Sequence, residues 1–253
     1  MNRNRPHLRL AATASAIALL LAAIPGVALA QTAASTSTEP EAATTRPLSF
    51  DTARNRVLRQ IERRLDALQR LGGDISGSPH VTDAHATSLH GDITAATNAL
   101  TSGILQVEAA TSVDELRAIA EPLFGDTLVF ALLSPKTHEV LGSDAAVAAR
   151  NRFAAVAADL QEAIDRLTAQ GADMSAAQDA LDEMERLADE AVSSAGPVAA
   201  TVIGLQPGDW PDPATRLLQE GRLTLTGARA SLREARHQAH TVLRLIRRES
   251  TTG

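Results

Sequence analysis

No cysteine occurs anywhere in this chain of 253 residues, so disulfides, thiolate nucleophiles and thiolate metal sites are all closed to it. Its stability must come from a packed apolar core. Tyrosine is absent as well, and the aromatics amount to four Phe and Trp210, too few to build the stacking platforms that hold bases or sugars. Lysine occurs once, at Lys136, and every other basic side chain apart from histidine is arginine. There is no Gly-x-Ser-x-Gly elbow and no Ser-x-x-Lys, the arrangements that activate a serine on a tight turn or beside a lysine. The formal charge is −6, and residues 1–30 contribute Arg3, Arg5 and Arg9 with no acid. The chain from Gln31 onward is therefore three charges more acidic still, a poor match for general nucleic-acid binding.

The three arginines lead into a fourteen-residue apolar run from Ala11 to Ile24, then Pro25-Gly26 and Ala28-Leu29-Ala30. A basic start, a short apolar middle and small residues ahead of a cleavage point make a secretory signal peptide over residues 1–30, cut before Gln31. As a helix, the apolar run spans only roughly 21 Å, short of the ~30 Å hydrocarbon core, so cleavage is the better reading than anchorage. No Arg pair precedes the run, which favours the Sec route over the twin-arginine one. No apolar tail closes the chain, so the expected product is secreted or extracytoplasmic, with no transmembrane anchor after signal cleavage.

Residues 31–48 are rich in Thr, Ser, Ala and Pro and read as a flexible polar leader with nothing to bury. Regular apolar spacing then defines a helical bundle domain over residues 49–250. Leu58, Ile61, Leu65 and Leu68 mark a first helix that Gly72-Gly73 is expected to end, and Ala86, Leu89, Ile93, Ala96 and Leu100 mark a second. Ser112 with Glu115 reads as a capping box opening a third, shorter helix that meets Pro122. The apolar run Leu128–Leu133 reads as a helix or an irregular buried segment. A fourth helix begins after Pro135 and ends at Gly171, and Ser175 with Gln178 reads as a capping box for the fifth.

The last two helices carry the strongest pattern. Met174, Ala177, Leu181, Met184, Ala188, Ala191, Ala195, Val198 and Val202 step by three and four, and so do Leu218, Gly221, Leu225, Ala228, Leu232, Ala235, Ala239, Val242 and Ile246. A mean spacing of about 3.5 specifies left-handed, near-parallel packing of long helices. Gly196-Pro197 should kink helix five, and the proline-rich turn over 206–213 should reverse the chain. The expectation is all-α: an elongated antiparallel bundle of five or six helices with left-handed coiled-coil-like packing.

Charge is divided between the two long helices. Helix six places Arg222, Arg229 and Arg236 at seven-residue intervals, with Arg233 beside them, while helix five carries Asp179, Asp182, Glu183, Glu185, Asp189 and Glu190 against Arg186 alone. The first expectation is that these charges face one another across the seam and fix the antiparallel pairing. The alternative is an exposed cationic strip that takes an anionic cell-envelope component or a protein partner. Lys136 and His138, beside the break at Pro135, form a possible corner site, whose plainer reading is a helix–helix corner with a C-terminal cation near the helix dipole. His237 and His240 are one turn apart, but Glu234-x-x-His237 occurs once, short of the pair a two-metal bundle needs. His80, His85 and His90 read as surface residues.

Pro135-Lys136-x-His138 after an apolar run, Asp144 a few residues on, Leu205-x-Pro207, the Asp209-Trp210 turn and an Arg- and Ala-rich last helix together resemble a family of secreted bacterial Ala-rich helical-bundle proteins without an assigned activity. The resemblance covers most of residues 50–248, and it implies fold and location and no catalytic residues. The expectation is a secreted or envelope-associated bundle that is a structural or interaction module, not an enzyme, with no metal, cofactor or nucleic acid. The alternative is a bundle that holds a metal or small ligand between its helices.

Overall fold

The computed structural model describes residues 49–252, and the expected signal peptide and polar leader lie outside the described residues. The described residues form an all-α bundle, in order α1 (Phe50–Gly77), α2 (Asp83–Ala109), α3 (Val113–Thr127), a π-helical turn (Val129–Leu133), α4 (Ser134–Ala169), α5 (Ser175–Val202), a 3-10 turn (Pro207–Asp209) and α6 (Ala214–Thr252).

Several boundaries differ from the sequence reading, each for a local reason. Gly72-Gly73 does not end α1, because Leu71 and Ile75 on either side are both buried and their packing holds the helix for another turn. Pro122 and Pro197 lie inside α3 and α5. Each removes one amide, and the carbonyls left without a donor, four residues earlier, belong to Ala118 and Ser193, both exposed to solvent. Ser112 caps α3 by accepting Glu115 N at 3.2 Å, but the Glu115 carboxylate reaches back to Thr111 N at 2.7 Å, one residue beyond the expected partner. The Ser175–Gln178 box does not form. Asp173 Oδ1 accepts Ser175 N at 3.1 Å in its place, and Gln178 bonds across to Gln161 of α4. The ambiguous run becomes a π turn entered through Leu128 at φ 36, with Leu132 and Leu133 buried and Phe130 exposed.

Packing divides the bundle into two halves that meet. In the first, Ile61, Leu68, Leu100, Val107 and Leu116 of α1–α3 enclose one core with the π turn. In the second, Phe153, Leu160, Leu181, Met184, Leu232 and Ala235 of α4–α6 enclose another. Every expected seam residue of α5 is buried, and on α6 so is every one but the half-buried Ile246. Each fully buried Leu, Val or Met contributes about 1.5–3 kcal/mol, while the many Ala contribute less area but closer approach. Val198 near the end of α5 lies against Gly221 near the start of α6. A third cluster, with Ile75, Leu89, Leu132, Val140, Val202 and Leu218, fills the place where the halves meet.

Candidate functional site

The buried polar residues concentrate at that junction, in the first three turns of α4. Lys136, Thr137, Glu139, Ser143 and Asp144 are all buried there. Pro135 sits in the first turn of α4, directly after the π turn. Thr137 Oγ1 returns a bond to Leu133 O at 2.8 Å, and Ser143 Oγ donates to Ala195 O at 2.9 Å, bracing α5 just before Pro197.

Lys136 is 1% exposed, and its Nζ donates to Asp92 Oδ2 at 2.7 Å and to Leu205 O at 2.9 Å. One ammonium thus ties α2, α4 and the connection between α5 and α6. Eight residues on, Asp144 accepts Thr82 N at 3.0 Å and His85 Nδ1 at 2.9 Å. Thr82 is the N-cap of α2, so the Asp144 carboxylate lies at the positive end of that helix. A carboxylate only accepts, which makes His85 Nδ1 the donor.

Glu139 is the exception in this cluster. Its Oε2 is buried without a hydrogen-bond partner, and burial pushes its pKa up to about 8, opposed by the charge of Arg222. Space for the carboxyl comes from Gly221 of α6, where a Cβ would collide with Oε2 and crowd Val198.

The expected corner site does not hold Lys136 and His138 together. Two residues apart on a helix, they point to different surroundings: Lys136 inward to Asp92, His138 outward to a groove against α1. His138 Nδ1 donates to Ser134 O at 2.8 Å, and Nε2 lies 3.7 Å from Asp74 Oδ2. Arg70, Asp74 and Phe130 line the same open groove of about 390 Å³. Lys136 also stands in the first turn of α4, not at a helix C-terminus where a cation would complement the dipole. It is a buried tie.

The arginines of α6 require a second correction. Arg222 and Arg233 are exposed, and Arg229 and Arg236 half-buried. Among the described residues no ion pair joins any of the four to the acids of α5, whose partners lie elsewhere. Asp189 takes Arg150 of α4 at 2.7 Å, and Glu183 and Glu190 take Arg186 of their own helix at 2.7 and 2.9 Å. The physical reason is direction: two of the four turn toward α4, with Arg222 near Glu139 and the Arg229 guanidinium over Gly142. The α4 carboxyl near Arg222 is the buried Glu139.

Sequence reasoning missed His85, Asp92 and Glu139. His85 and His80 are not plain surface residues, since His85 is held by Asp144 and His80 Nε2 lies 2.8 Å from Arg152 Nη2. The one local hint was Gly221, a seam position emptied of its side chain. His237 and His240 are exposed on α6. Among the described residues no cluster of three or more His, Asp or Glu side chains is arranged to hold a metal, and no helix is long and apolar enough to cross a membrane. No protein-family model, no curated protein and no solved structure matches this chain.

Proposed function

We propose that this chain is an exported helical interaction module that docks an anionic partner, such as a polyanionic component of the cell envelope, through Arg222, Arg229, Arg233 and Arg236 of α6. One observation carries the reading: these four guanidiniums lie along one flank of a rigid helix and hold no hydrogen bond or ion pair among the described residues. Guanidinium is the cation best suited to bidentate capture of carboxylate or phosphate. The chain is acidic overall, so a local cationic strip gives orientation as well as attraction. A binding role rather than catalysis is supported by the state of Lys136, the side chain best suited to nucleophilic work here, which is enclosed and committed to Asp92 and the Leu205 carbonyl.

The test is salt-dependent retention on a polyanion matrix, compared with the triple variant Arg222→Glu/Arg229→Glu/Arg236→Glu. Loss of retention at an unchanged melting temperature is the expected result. A triple variant that is retained as well as the parent, or that melts far lower, would return the arginines to a structural role. Export is tested separately by intact mass: the secreted species should begin at Gln31.

A further inference from the structure

Glu139 of α4 and Arg222 of α6 lie near one another at the junction, the first buried and the second exposed. The groups around Glu139 leave it few choices. From α6 it meets Gly221 and Arg222, and the α5 side chain beside Gly221 is Val198, which carries no charge. On its own helix the nearest cation is Lys136 one turn back, already held by Asp92 of α2 and by the Leu205 carbonyl.

A buried carboxyl without a partner has two ways to avoid an isolated charge: it keeps its proton, or it acquires a counter-ion. Arg222 is the counter-ion within reach. It comes directly after Gly221 in the chain, and it hangs on a long stem that can lie along the surface in either direction.

We infer that Glu139 governs whether Arg222 is available to the anionic partner: with the carboxyl neutral Arg222 stays outward in the strip, and with it ionised Arg222 turns inward as its counter-ion. This rests on the reading of the strip as a docking surface and adds its regulation. Since burial raises the carboxyl to a pKa of about 8, the change falls just above neutrality. Linkage then requires the reverse effect as well. An anion that holds Arg222 outward raises the proton affinity of Glu139, so binding near pH 8 takes up a proton.

The experiment titrates the full-length secreted chain with long-chain inorganic polyphosphate at pH 7 and pH 9, at one ionic strength. Wild-type affinity should fall about tenfold between the two, the loss of one charge-assisted contact. Glu139→Gln is neutral at both pH values and should hold its pH 7 affinity at pH 9, which also removes any contribution from other titrating groups. Arg222→Ala should bind at pH 7 as weakly as the wild type does at pH 9, with little change between them. An equal pH dependence in Glu139→Gln and wild type overturns the gate and leaves the strip standing. Absence of binding at both pH values overturns the strip and the gate together. Wild type that unfolds at pH 9 by far-ultraviolet circular dichroism also overturns the gate, because an ionised Glu139 would then have found no counter-ion.

Discussion

Lys136 Nζ and Asp92 Oδ2 lie 2.7 Å apart across the junction between the two halves of the bundle, with the Leu205 carbonyl on the same ammonium. Removing one member of a buried pair leaves the other charge desolvated, and it does so at the place where α2, α4 and the end of α5 meet. Lys136→Ala should therefore destabilise the protein by about 3–5 kcal/mol, less whatever water recovers at the partly exposed Asp92. Lys136→Met with Asp92→Leu, which removes both charges and keeps the volume, should regain much of that loss. Chemical denaturation of the three proteins measures it. A Lys136→Ala protein as stable as wild type would mean that the ammonium is not bound as described.

Stability should depend on pH through Glu139. Its carboxyl is raised in the folded state to about 8 from an unfolded value near 4.5, so the folded protein holds the extra proton. Its contribution is complete below about pH 4.5 and is lost progressively as pH rises through 8. Glu139→Gln should leave stability near pH 4.5 little changed and raise it by a few kcal/mol at pH 9. Melting temperature against pH reads this directly, and parallel curves for the two proteins would contradict it.

Asp144 should matter locally. Asp144→Ala takes one acceptor from Thr82 N and from His85 at the start of α2, at about 1–2 kcal/mol, the range for a lost cap with its dipole interaction. Hydrogen exchange should speed up at residues 82–86 before it does so in the middle of α5. Uniform acceleration along the chain would indicate a global effect instead.

The seams offer the plainest contrast. Leu181→Asp or Leu232→Asp places a carboxylate among Ala and Leu side chains and should cost several kcal/mol. Glu183→Ala removes only an exposed pair with Arg186 and should change stability by less than about 1 kcal/mol. Equal losses in thermal melts would mean that the two faces of α5 have been exchanged.

These two faces were also what the sequence displayed best. A helix repeats the same environment every three or four residues, so the seams of α5 and α6, and the all-α class with them, could be read one turn at a time. The caps were read only in part, because a cap depends on one atom's reach: Ser112 took its amide, while Asp173 displaced Ser175. The polar junction was not legible for a different reason. Lys136 and Asp92 are separated by 44 residues, and His85 and Asp144 by 59. No periodicity couples positions that far apart. The arginine strip lay between these cases: its seven-residue spacing was visible, but which neighbouring helix it turns toward depends on how three helices rotate against one another, and that is fixed by packing.

Gly142 gives the strip a property that arginine spacing alone would not. A Cβ at that position would stand 3.3 Å from Arg229 Nη2 and 3.2 Å from Leu225 Cδ1, so the bare backbone of α4 lets the guanidinium settle against it. A side chain resting there has surrendered part of its rotational freedom and part of its hydration before any partner arrives. Much of the entropy that a long cationic side chain loses on capture is then lost already on folding. The absence of one methyl group on α4 thus preorganises a cation on α6.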